Sequence, residues 1–157
     1  GPFYLRFGRL AVPVINDRPD YHFELGKGSI VREGTDLALI ACGLEVGEAL
    51  QAAARLEEDG ISACVINMHT IKPLDRDLLI RSAADCGRVV TVEEHSIIGG
   101  LGSAVAETLA EEYPAKLLRI GIRDRFGESG PAAELLHKYQ LDAEGIYRQI
   151  RAWVSEL

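Results

Sequence analysis

Val92-Glu93-Glu94-His95-Ser96-Ile97-Ile98-Gly99-Gly100-Leu101-Gly102-Ser103-Ala104-Val105-Ala106-Glu107 is the stretch whose reading decides the fold. The apolar run before it (Val89, Val90, Val92) ends in two carboxylates and a histidine, and three glycines within four residues lead into a helical pattern. Strand, charged cluster, glycine loop and helix is the order in which open α/β sheets build a site at the carboxyl ends of their strands.

The same alternation extends outward in both directions. On the N-terminal side, Ser29–Arg32 reads as a short strand, Glu33-Gly34 as a turn and Asp36–Ala41 as a strand buried on both faces. Val46, Ala49, Leu50, Ala53 and Leu56 have helical spacing, closed by Gly60. Ala63–Asn67 is the next strand, and Pro73 precedes a helix through Leu78, Leu79 and Ala83. On the C-terminal side come the helix Ala104–Glu112, a last strand Leu117–Ile120, and helices near Pro131–Lys138 and Ala143–Val154. Strands alternating with helices predict a three-layer α/β/α sandwich on a mainly parallel sheet. The first two strands are joined by only a tight turn, so that pair, if it forms, is antiparallel. Residues 3–7 (Phe3-Tyr4-Leu5-Arg6-Phe7) read as a lone strand, and residues 8–21, with Pro13, Asn16, Asp17 and Pro19, as an irregular linker. A lone strand ahead of a linker is expected to be the tail of something larger.

Composition narrows the function. The 157 residues are 47% hydrophobic and 26% charged, enough for a real core in one domain with a short extension. A net charge of −7 argues against a nucleic-acid surface, which needs clustered Lys and Arg. No apolar run approaches the roughly 18 residues of a membrane span, and no basic-then-apolar leader opens the chain. Cys42, Cys64 and Cys86 are odd in number, lack C-x-x-C spacing and lie in or beside apolar runs. They read as reduced core residues of a cytoplasmic protein.

The candidate site residues each carry two readings. Gly99, Gly100 and Gly102 either present free N–H groups to a phosphate or make a tight turn against a neighbour; the pattern is not G-x-G-x-x-G, and no P-loop lysine follows. Glu93, Glu94 and His95 are either an acid/base set or a strand-end cluster that caps the next helix or forms an interface. Adjacent strand residues point to opposite faces, so Glu93 and Glu94 cannot both line one pocket on a regular strand. Gly43-Leu44-Glu45 ends another strand and shares the expected crevice. His69 is either a ligand contact at the same edge or a satisfied loop residue. Arg9 is either a phosphate clamp or a solvated surface arginine. No H-x-x-x-H, H-E-x-x-H or spaced Cys/His set exists to suggest a metal.

Five segments, in order, resemble one family. They are Gly1–Phe7 with Arg9 and Pro13, Leu39–Gly43, Val65–Asp75, Val92–Glu107 and Phe126-Gly127-Glu128-Ser129-Gly130. Together they resemble the C-terminal domain of transketolase, especially the form split into two polypeptides. The resemblance implies a five-stranded mixed sheet with one antiparallel edge strand. It also implies that residues 1–21 are the last strand of a preceding pyrimidine-binding domain plus a linker, with the C-terminal domain at residues 22–157. Thiamine diphosphate and magnesium are then held in the complete enzyme by other domains, whose G-D-G motif is absent here. None is expected to bind this chain alone, which is expected to be inactive. By position, Arg9 corresponds to an arginine that holds the substrate's sugar phosphate. The implied partners are the N-terminal subunit or domains and a homodimer mate. Deoxyxylulose-phosphate synthase and the beta chain of 2-oxo acid dehydrogenases carry related domains and are the near alternatives. A further alternative is a regulatory ligand-binding module, using the crevice at Gly43, Glu45, Glu93, Glu94, His95 and Gly99.

Overall fold

In a computed structural model that describes residues 1–8, 10–17, 19 and 21–156, the chain runs β1 (Ser29–Arg32), β2 (Leu37–Ala41), α1 (Glu45–Glu58), β3 (Ala63–Asn67) and α2 (Arg76–Cys86). It continues through β4 (Arg88–Ser96), α3 (Leu101–Glu112), β5 (Lys116–Ile122), α4 (Ala132–Lys138) and α5 (Ala143–Ser155). The five strands form one sheet in the order β1-β3-β2-β4-β5. β3, β2, β4 and β5 are parallel, and β1 is the antiparallel edge.

The layers follow from alternation along the strands. Leu37, Leu39 and Ala41 of β2, with Val65, Val90, Val92 and Ile120, pack on one face against Val46, Ala49, Ala53 and Leu56 of α1 and Ile146 and Ile150 of α5. Ala38, Ile40, Cys64, Ile66 and Val89 pack on the other against Leu79 and Ala83 of α2 and Leu101, Val105 and Leu109 of α3. A central parallel strand is covered on both faces, so β2 and β3 are buried along their whole length. Helix ends are set locally. Asp75 accepts from the Leu78 N–H at 3.1 Å to start α2, left-handed Gly87 ends it, and Asp142 accepts from the Gly145 N–H at 2.9 Å to start α5.

Three points add to or differ from the sequence reading. First, β1 is the antiparallel edge strand, and it pairs with β3 rather than β2, both of whose edges are taken by β3 and β4. The turn after β1 therefore crosses the start of β3, where the Thr35 and Asp36 N–H groups donate to the Ser62 carbonyl at 3.1 and 2.8 Å. A Cβ on Gly34 would fall inside the backbone of Ala63 and Cys64. Gly34→Ala should cost about 1–3 kcal/mol as this crossing is pushed outward, measured by urea denaturation. An unchanged midpoint would show that the crossing is loose.

Second, residues 3–7 form no strand in this chain, and Phe3, Tyr4, Leu5 and Phe7 are exposed. A strand needs an edge to bond, and among the described residues none is paired with this segment. Third, β4 continues past Val92 to Ser96 through an irregular register against β5, and α3 starts at Leu101 rather than Ala104.

Candidate functional site

The carboxyl ends of β2 and β4 lie side by side at the centre of the sheet, with Ala41 opposite Val92. The sequence-predicted residues gather here, but they close the crevice rather than line it. Glu93 is only 4% exposed. One of its carboxylate oxygens accepts from the Leu101 N–H at 2.9 Å and the other from the Gly102 N–H at 2.8 Å. These are the first free amides of α3, at the positive end of its dipole. The helix therefore starts early because Glu93 satisfies its first donors. Burial pushes the Glu93 carboxyl up, opposed by the Gly102 and Leu101 amides and by His95 and Arg119.

This explains the glycines. A Cβ on Gly100 would overlap a Glu93 carboxylate oxygen, and one on Gly102 would sit 3.0 Å from the other. Gly99 takes a left-handed φ of 77° to make the turn, and its N–H donates to the Ser103 hydroxyl at 2.8 Å. The loop is shaped to an internal carboxylate at the place where a phosphate would have to bind.

Glu94 points to the opposite face, as alternation requires. Its carboxylate is 3.5 Å from the Arg6 guanidinium, which ties the N-terminal segment to this edge. His95 and Ser96, farther out, reach a separate cavity. Gly43 turns the chain from β2 into α1 with a φ of 60°. Glu45, the first residue of α1, is 0% exposed, and neither carboxylate oxygen has a hydrogen-bond partner among the described residues. Burial first, then the neighbouring Glu48, Glu94 and Asp142 charges, push its pKa up to about 8. At neutral pH it is a buried neutral acid, so it adds no charge to the crevice. Burial also raises the Cys42 thiol to about 11, which removes it as a nucleophile.

His69 is a satisfied loop residue. Its Nδ1 is 2.8 Å from the Thr70 hydroxyl, and its ring lies on Phe23 at 4.7 Å between centroids. Burial lowers its pKa. Thr70 also accepts from the Gly26 N–H at 3.3 Å, so this pair anchors the segment that enters β1. Arg9 lies outside the described residues.

Sequence reasoning missed Arg6, Arg119 and Asp75. Arg119 donates to the Ile97 carbonyl at 3.0 Å and braces the glycine loop from β5. Asp75 accepts from the Gly28 N–H at 3.0 Å besides capping α2. Neither link has a sequence signal, since the partners are 22 and 47 positions away. Among the described residues, no group of three or more His, Cys, Asp or Glu is placed to hold a metal ion, and no helix is long and apolar enough to cross a membrane.

Comparison with known proteins places this geometry. The pattern of the family described as "Transketolase, C-terminal domain" matches residues 26–146. A putative transketolase C-terminal section of Methanocaldococcus jannaschii is 51% identical over 96% of this chain and 47% of its own length. A 6-deoxy-6-sulfo-D-fructose transketolase subunit of Clostridium sp. is 48% identical over 94% of this chain and 46% of its own length. The chain thus spans about half the length of the curated relatives it matches. A solved structure, "Split gene transketolase, inactive beta4 tetramer", superposes with a TM-score of 0.85 at 49% identity, covering 92% of this chain and 47% of that one.

Proposed function

The chain belongs to the transketolase C-terminal domain family, and on that premise we propose that the complete protein moves a two-carbon ketol unit between sugar phosphates with thiamine diphosphate and magnesium. The cofactor supplies the chemistry that cleaves and carries the ketol unit. This chain supplies the C-terminal domain, which supports the active site and the assembly without holding the cofactor.

The observation that carries this division of labour is Glu93 at the start of α3. A diphosphate needs free N–H groups or cations. Here the amides exposed by the glycine loop are already bonded to a carboxylate, and Glu94 stands beside them. A magnesium ion needs several oxygen ligands in one place, and the described residues offer no such cluster. The residues present do not fit the cofactor, so no catalytic step is assigned to them.

Three finer points belong to the same proposal. Residues 1–21 are the end of a preceding domain and a linker: Phe3, Tyr4, Leu5 and Phe7, exposed here, become a paired strand when that domain is present. The partners are the N-terminal subunit or domains and a second copy, in the cytoplasm. In the similar split-gene protein a beta4 assembly is described as inactive, which supports an N-terminal partner's being required here as well. Arg9 holds the substrate phosphate. Arg9→Ala in the complete enzyme should raise KM for phosphorylated sugars by about one to two orders of magnitude, as for a lost charge-assisted contact of roughly 1.5–3 kcal/mol. Unchanged kinetics would remove Arg9 from the site.

Ketol transfer between sugar phosphates, assayed on the chain alone and on the complete protein, tests the proposal. Activity is expected only in the complete protein. Turnover by the chain alone, or none by the complete protein with cofactor and metal supplied, contradicts it.

A further inference from the structure

A cavity of about 390 Å³ opens beside the carboxyl ends of β4 and β5, one strand away from the filled crevice. α4 and the 123–131 loop form its outer wall. No residue of α4 is fully buried; the helix packs on the core only through the half-buried Leu136. The floor is aliphatic: Ile122, Leu135, Leu136 and Leu141. The Tyr139 ring lines it as well, with its hydroxyl buried away from the opening. That hydroxyl faces Glu128 and helps hold its carboxylate low, after the larger effect of Lys138.

Three charges stand at the mouth. Glu94 is paired with Arg6 at 3.5 Å, and Glu128 with Lys138 at 2.6 Å. Arg125 also lines the cavity and has no ion pair among the described residues. The charge left to a newcomer is therefore positive, while the interior rejects a compact polar anion such as phosphate, which would lose its hydration against leucine side chains. The volume is that of a small-ligand pocket, roughly 300–1,000 Å³.

We propose that this cavity binds a small amphipathic carboxylate, with its carboxylate on the Arg125 guanidinium and its aliphatic body on Leu135, Leu136, Ile122 and Leu141. The guanidinium fork matches a carboxylate with two hydrogen bonds. The site takes a different chemical class from the sugar phosphates of the proposed reaction, so it is a second ligand site on the domain.

Isocaproate, its uncharged isostere isocaproamide, and inorganic phosphate are the probes, titrated into isotopically labelled chain and followed by NMR shifts. Isocaproate should bind at a dissociation constant of about 1 mM or below, with shifts centred on Leu135, Tyr139 and Arg125. The amide should bind at least tenfold more weakly, about 1.4 kcal/mol, and phosphate should leave these residues unshifted. Arg125→Gln, on an exposed side chain, should bring the acid and the amide to equal affinity. Leu135→Trp should fill the cavity and abolish both, and the Arg125→Gln comparison decides independently should the Trp variant not fold. Equal binding of acid and amide by the unaltered chain would overturn the proposal. So would shifts centred elsewhere, or no shift at tens of millimolar acid.

Discussion

Glu93→Ala should destabilise the chain by about 3–5 kcal/mol, the largest effect expected from any single truncation at the strand ends. Two charge-assisted hydrogen bonds to Leu101 and Gly102 disappear, each worth roughly 1.5–3 kcal/mol. The buried amides they satisfied are left without partners, and Gly100 and Gly102 border a void sized for a carboxylate. Some of the loss is returned, because the burial that raises the Glu93 pKa no longer has to be overcome. In a domain of this size the melting point should fall by roughly 2–4 °C per kcal/mol. Glu93→Gln keeps one acceptor but places an amide N–H₂ against a backbone N–H, so it should lose about half as much. Calorimetric melting of both variants checks this. A shift under a degree for Glu93→Ala would mean that α3 is capped by water and that the amides remain available to an anion.

Glu45→Gln should stabilise the chain, and by an amount that grows with pH. The unfolded carboxyl titrates near 4.5, whereas the folded one titrates near 8. Below the lower value both states are protonated and no penalty exists. Between the two, the unfolded state has lost its proton and the folded state keeps it, so stability falls as pH rises, by about 1.4 kcal/mol per pH unit at most. Above the upper value the folded group ionises as well and the loss levels off. Glutamine has nearly the same shape and cannot ionise, so the variant should match the parent at pH 4.5 and exceed it by a few kcal/mol near pH 8. Urea unfolding across this range measures the difference. Parallel curves for parent and variant would show that the Glu45 carboxyl finds water or a counter-charge in the folded chain.

The fold was legible because its signals are local. The apolar runs of β2 and β3, the helical spacing from Val46 to Leu56 and the glycine and proline stops each act within a few residues. The position of β1 was less legible, since the tight turn at Gly34 reads the same whether the chain pairs back on itself or crosses a third strand. β4 ended too early in the sequence reading because Glu93, Glu94 and His95 break the apolar run, although the backbone continues beside β5 to Ser96. At the site, opposite orientations of Glu93 and Glu94 followed from strand geometry alone. That the strand-end cluster caps the next helix was one of its two sequence readings; that Glu93 is the residue that does so, through the glycine loop, was not legible, because a carboxylate eight residues before Leu101 carries no motif. The cavity had no signal either: Arg125, Leu135, Tyr139 and Leu141 lie on the loop before α4, on α4 and on the turn after it, and meet Ile122 of β5 only in the folded chain.

The central claim is that this domain supports a thiamine-diphosphate enzyme without holding the cofactor itself. A calorimetric titration of the chain with thiamine diphosphate and magnesium tests it most directly. With Glu93 bonded across the start of α3, no heat of binding is predicted up to millimolar cofactor. Binding in the micromolar range, lost on adding EDTA, would contradict the account and would place a cofactor site where the structure puts a carboxylate.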